Sequence, residues 1–288
     1  MKNKAKYRKI KFKKSWLNGK NILLTGAGSG IGRELALVLA KRYGCNVLAV
    51  GRGEDNLVRL AKEVESIKYF CADVSIESEW ARLRSYTDSI GFFVDVIVNN
   101  AGVIHPFKKL IYLTNEQIDK VVSTDYKSII YSLRTFYDVI KASPKAGFIT
   151  ISSASAYLPV AGNSVYSSVK SAALSITEAI RQELYTDKIY VAAVMPGPVV
   201  TDLYEPDGEE ERKAGDDVAK VGARADVLAE RIAKKVSACK PLITVDSTAK
   251  VMRFARKIAP AGTVKLWAKL MRKANRPTFN KVFEDEKN

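Results

Sequence analysis

The chain has 288 residues, 47% hydrophobic, with 47 Lys or Arg against 31 Asp or Glu and one histidine. The formal charge of +16 suggests a nucleic-acid partner until it is located. Residues 1–20 carry nine basic residues and no acid, residues 247–283 carry ten and no acid, and 21–246 hold 27 basic and 28 acidic residues, so the middle of the chain is close to neutral. The charge therefore belongs to the ends, which argues against a nucleic-acid-binding fold and for an anionic surface met by the termini.

In chain order, residues 1–18 read as a basic N-terminal arm in which Tyr7, Ile10, Phe12 and Trp16 are interleaved with lysines. The arm lacks the apolar core of a signal peptide. Residues 19–246 then alternate short apolar runs with helical patterns. Strands are predicted at 21–25, 46–50, 67–71, 93–98, 147–152, 189–195 and 241–245. This alternation predicts an α/β, Rossmann-type, doubly wound parallel sheet of seven strands with helices on both faces. Residues 247–288 form a basic extension. Apolar residues at 251, 254, 255 and 258, then at 264, 267, 270 and 271, follow helical spacing and predict two amphipathic helices on either side of Pro260 and Gly262. Such helices suit a membrane surface, a partner chain, or docking onto the domain itself. No apolar run approaches the ~18 residues of a membrane span.

The first strand runs into Thr25-Gly26-Ala27-Gly28-Ser29-Gly30-Ile31-Gly32, which opens a helix. Glycines there allow positive φ and close approach of a phosphate to backbone N–H groups. The helix start offers unpaired donors and a positive dipole end. Strand, glycine turn and helix are the setting that a dinucleotide fingerprint requires. Tyr166 and Lys170 lie four apart in a Gly- and Pro-free segment, so they share a helix face. A nearby ammonium favours a phenolate, which would make Tyr166 a usable acid or base. Ser153 follows the fifth predicted strand, thirteen residues before the tyrosine. Asn99-Asn100-Ala101-Gly102 follows the fourth strand, Asp73-Val74 the third, and Pro196-Gly197-Pro198-Val199-Val200-Thr201 the sixth.

As a set, these motifs resemble the short-chain dehydrogenase/reductase family over about residues 18–246. The resemblance implies hydride transfer between a nicotinamide and a carbonyl or alcohol carbon. It implies Tyr166 as general acid and base, Lys170 as its pKa partner and a contact of the nicotinamide ribose, and Ser153 as the hydrogen-bond donor to the substrate oxygen. It places Thr25, Gly26, Gly28, Ser29, Gly30, Ile31 and Gly32 along the pyrophosphate, and Asp73 and Val74 at the adenine. Asn99, Ala101 and Gly102 would lie beside the cofactor, with Asn99 holding the central strand. Pro196, Gly197, Val199 and Thr201 would lie near the nicotinamide. It implies a small-molecule carbonyl or alcohol substrate and a homodimer or homotetramer. Looser likeness to branches acting on steroids and ketosphinganines points to an apolar or lipid-like substrate. Residues 202–221 would form the substrate lid.

The second strand ends at Gly51-Arg52-Gly53-Glu54. An arginine there can pair with a 2′-phosphate, which favours NADP(H), while Glu54 and Asp55 keep NAD(H) open. One position departs from the family. Asp125 stands in the long helix where an asparagine is usual, so it is a candidate site residue with a negative charge in place of an amide. Cys45, Cys71 and Cys239 lack metal-ligand spacing, and no metal site is expected. The reading is of an enzyme in a reducing cytoplasm whose basic ends meet an anionic membrane surface, a partner chain or the domain itself. A dinucleotide-sensing or scaffolding protein with the same fold and little chemistry is the alternative.

Overall fold

The computed structural model describes residues 16–200 and 222–273, together with Val282. Apolar runs form the strands, and helices close each crossover. The order is β1 (Asn21–Thr25), α1 (Gly30–Tyr43), β2 (Asn46–Gly51), α2 (Glu54–Glu63), β3 (Ile67–Cys71), α3 (Glu77–Ser89) and β4 (Val96–Asn99). Then come α4 (Asn115–Val122), a π-helical turn (Ser123–Lys127), α5 (Ser128–Ala142), β5 (Gly147–Ile151), α6 (Ser164–Glu183) and β6 (Tyr190–Met195). After two-residue strands β7 (Val199–Val200) and β8 (Ala223–Arg224) come α7 (Ala225–Ser237), β9 (Leu242–Thr244), α8 (Ser247–Ile258) and α9 (Pro260–Lys273).

Seven strands make one parallel sheet in the order β3-β2-β1-β4-β5-β6-β9. All seven predicted strands are present; the fourth starts later than expected, at Val96. The β7–β8 pair is a separate parallel ribbon that the sequence does not announce. One face of the sheet packs on Leu35 and Leu39 of α1 and on Leu228, Ile232 and Val236 of α7. The other packs on Trp80 and Leu83 of α3, Phe136 and Ile140 of α5, and Ala173 and Ile180 of α6. A parallel sheet covered on both faces needs apolar residues on both sides of each strand, and the unbroken buried run of β6 shows it.

Trp16, at the end of the basic N-terminal arm, packs against the domain. It is 2% exposed, and its ring meets Tyr190 edge-on at 4.9 Å between centroids. A Cβ on Gly147 would come within 2.4 Å of that ring, so only glycine at the start of β5 admits the indole. Leu17 is buried beside it in the same core. Tyr7, Ile10 and Phe12 lie outside the described residues.

Strand order reverses between β1 and β4, since the chain leaves β1 toward β2 on one side and returns to β4 on the other. The crevice beyond the carboxyl ends of these two strands is where open α/β sheets bind ligands. The glycine turn after β1 and the Asn99–Gly102 run after β4 both open into it.

Candidate active site

The glycine turn is built by backbone packing. Gly26 has φ +64°, and a Cβ there would lie 2.7 Å from Ala101 Cα; one on Gly32 would lie 2.1 Å from the Gly26 carbonyl oxygen. Thr25 ties the two loops together. Its Oγ1 accepts from the backbone N–H groups of Asn100 and Ala101, each at 3.0 Å. Asn100 returns its side-chain amide to the carbonyls of Thr25 and Gly26 at 3.0 and 3.1 Å. The amide that bridges the ends of β1 and β4 belongs to Asn100. The signal was present in the doubled Asn-Asn, but which amide points across is set by the end of β4.

These residues fit a dinucleotide. Ser29 caps α1 in an extended conformation without a side-chain hydrogen bond, and the first turn holds no acid. The first N–H groups of the helix thus face the crevice with no anionic side chain against them. Asn99 is buried, and neither its amide oxygen nor its nitrogen has a partner among the described residues. Buried polar atoms of this kind call for a polar ligand group.

At the tip of β2, Arg52 is exposed and its guanidinium stands 3.8 Å from Asp73 Oδ2. Asp73 also accepts from the N–H and hydroxyl of Ser75 at 2.9 and 2.6 Å, so it holds the turn after β3. Val74 is buried, and its carbonyl accepts from the Trp80 indole at 2.9 Å. Arg52 and Asp73 come together from adjacent strands, as their places at the ends of β2 and β3 require.

Ser153, Tyr166 and Lys170 also converge. Ser153 leaves β5 in an extended conformation, and its hydroxyl accepts from the Ser155 N–H at 3.1 Å. Tyr166 and Lys170 are buried on the inner face of α6. The Lys170 ammonium lies 5.4 Å from the centre of the Tyr166 ring and donates to the Ile151 carbonyl at 3.4 Å. Ser152 fixes the helix by donating to the Lys170 carbonyl at 2.7 Å.

Asp125 alters the electrostatics of this cluster. It sits in the π-helical turn, where it is buried. Its side chain is fully buried; Oδ2 lies 2.9 Å from Lys170 Nζ, and Oδ1 accepts from the Val103 N–H at 2.8 Å. A Cβ on Gly102 would come within 3.0 Å of Asp125 Oδ2 and 3.1 Å of Lys170 Nζ, so glycine there leaves room for the pair. Burial pushes the Asp125 carboxyl above its ordinary value, against the opposing pull of Lys170. Lys170 is not the only charge near the Tyr166 phenol. Burial, and then the negative charge of Asp125, push the phenol upward, while the hydrogen bond with Ser153 opposes them.

Two supports escaped the sequence reading. Asp246 Oδ2 accepts from the Gly197 N–H at 2.6 Å while Oδ1 caps α8 through the Ala249 N–H at 2.9 Å. One carboxylate thus pins the Pro196-Gly197 turn to the C-terminal helices. Val282 is buried against Gly162, just ahead of α6. Val199 is buried at the start of β7. Thr201 and the expected lid at 202–221 lie outside the described residues.

The short chain dehydrogenase family profile matches residues 20–212. An uncharacterized oxidoreductase of Staphylococcus haemolyticus is 33% identical over 191 residues, covering 66% of this chain and 82% of that protein. The NADP-dependent 3-hydroxy acid dehydrogenase of Schizosaccharomyces pombe is 30% identical over 195 residues, covering 66% of this chain and 75% of that one. The crystal structure of 3-ketoacyl-(acyl-carrier-protein) reductase from Brucella melitensis complexed with NADH is similar with a TM-score of 0.70 and 28% identity, over 81% of this chain and 99% of that one. The chain belongs to the short-chain dehydrogenase/reductase family. It is an NAD(P)-dependent oxidoreductase acting on CH–OH and carbonyl groups.

Proposed function

We propose that this protein interconverts a carbonyl and an alcohol on a small apolar molecule with NADP(H), using Tyr166 as the general acid and base. The convergence of Ser153, Tyr166 and Lys170 at the crevice beyond β4 and β5 carries the reading. The bound nicotinamide would supply or accept the hydride. Ser153 would donate a hydrogen bond to the substrate oxygen and set its distance from the phenol. Tyr166 would give its proton to that oxygen in reduction and take it back in oxidation. Both groups would act where negative charge develops on the substrate oxygen. Lys170 and Asp125 would order the floor of the site as a pair.

Two observations favour NADP(H). Arg52 stands at the tip of β2 with its guanidinium exposed. The Schizosaccharomyces pombe relative is named as NADP-dependent. The apolar substrate is read from Val103, Ile104, Val165 and Val169, which pack around Tyr166.

Tyr166→Phe tests the proposal because it removes only the transferable proton. Turnover of a ketone panel, followed by absorbance of the reduced nicotinamide, should fall by roughly 10²–10⁴-fold. Dinucleotide affinity should hardly change. Undiminished turnover in that variant would sink the assignment.

A further inference from the structure

Helices α8 and α9 bury one face and leave another bare. Ala249 and Met252 of α8 pack on Ala154 and Leu158 beside the site, with Tyr157 and Trp267 against them. Met271 is the buried residue of α9. On the outer side, Val251, Phe254 and Ile258 are 66%, 66% and 65% exposed, and Leu266 and Leu270 are 58% and 50% exposed. The first three recur at i, i+3 and i+7 and the last two at i and i+4, so each set is a stripe along its helix. Exposed large apolar side chains grouped in this way mark an interaction surface, whereas isolated ones need no explanation.

The charge around the stripes indicates what meets them. Lys250, Arg253 and Lys257 on α8, and Lys265, Lys269 and Lys273 on α9, are all exposed. No Asp or Glu occurs anywhere in residues 247–283. A second copy of the same face would bring these cations against one another. An anionic lipid headgroup layer would neutralise them and take up the apolar side chains at its boundary. Among the described residues no helix is long and apolar enough to cross a membrane, so this contact would be at the surface.

We propose that the outer face of α8 and α9 docks on a bilayer surface rich in anionic lipid. The inference is independent of the hydride chemistry, since none of these side chains belongs to the site. Attraction between exposed charges is screened over about 8–10 Å near physiological salt. Binding should therefore weaken as salt rises, and the apolar stripes should set how much survives.

The test is flotation of the full-length protein with vesicles of phosphatidylcholine alone or mixed with phosphatidylserine, at low and high salt. Wild type should float with the mixed vesicles at low salt and not with the neutral ones. Phe254→Ser with Ile258→Ser and Leu270→Ser should weaken that binding by roughly tenfold or more, as should Lys257→Gln with Lys265→Gln and Lys269→Gln. Unchanged unfolding midpoints and dinucleotide affinity would show that both variants are folded. Absence of binding to the mixed vesicles overturns the proposal. So does equal binding by wild type and both variants, which would assign attachment to another part of the chain. Loss of self-association in the apolar variant, without any vesicle binding by wild type, would assign the face to a second copy and overturn it as well.

Discussion

Asp125 shows how one side chain resets its neighbours. A lysine four residues after a tyrosine would lower the phenol's pKa if its charge were free. Here the ammonium meets a buried carboxylate at 2.9 Å, and the tyrosine feels burial and a negative charge instead. Asp125→Asn should remove that negative charge and leave Lys170 to act on Tyr166 alone. The tyrosine would then lose its proton at lower pH, because the phenolate gains a net positive neighbour. Alcohol oxidation needs the phenolate, so its rate should begin to rise at a lower pH in the variant, by about one unit or more. A pH profile of kcat/KM in the oxidative direction reads this, and an unmoved limb would show that Asp125 does not govern the tyrosine. Arg52 can be judged in the same way. Arg52→Ala should cost NADPH about 1–3 kcal/mol more than NADH, the size of a charge-assisted hydrogen bond. Fluorescence titration with each cofactor measures the difference; equal losses would mean that Arg52 does not read the 2′-phosphate.

Among elements, the Pro196–Pro198 turn, β9 and α8 depend on one another through Asp246. Its two oxygens serve Gly197 and Ala249, 49 and 3 residues away. Asp246→Ala should lose the helix cap, about 0.5–2 kcal/mol, and also free the turn. Urea unfolding would report the first effect and nicotinamide affinity the second. A loss of stability with unchanged affinity would show that the turn holds its shape unaided. The sequence could locate α8 but not its inner face. Residues 251, 254, 255 and 258 make the apolar pattern, yet Val251, Phe254 and Ile258 point outward and Ala249 and Met252 point in. Periodicity identifies a helix with an apolar side; it does not say whether that side meets the core.

For the whole molecule, the first described residues are structural. Trp16 closes the bottom of the sheet between Gly147 and Tyr190, far in sequence from both. Trp16→Ala should destabilise the protein by about 3–5 kcal/mol, as truncating a large buried aromatic does. Thermal unfolding measures this, and a change within error would mean that the ring contributes no packing. The charge map is a property of the same scale. A near-neutral oxidoreductase unit carries strongly basic ends, so a surface that attracts the ends need not disturb the crevice.

Much of this was legible in the chain itself. Apolar runs of strand length separated by helical patterns fixed a parallel sheet, because only that arrangement covers both faces of such strands. Tyr166 and Lys170 stood four apart on one helix face, which local geometry alone brings together; that the glycine turn and Ser153 belong to the same site was implied by the family resemblance. What the sequence could not decide were relations between segments distant along the chain: Asn100 reaching the glycine turn, Asp246 holding Gly197, Trp16 filling the space above Gly147, and Asp125 facing Lys170. Spacing along a strand or helix is set by local backbone geometry, and so it can be read from residues alone. Which charge pairs with which, and which apolar stripe is covered, depends on how the elements pack, and only the tertiary structure decided that.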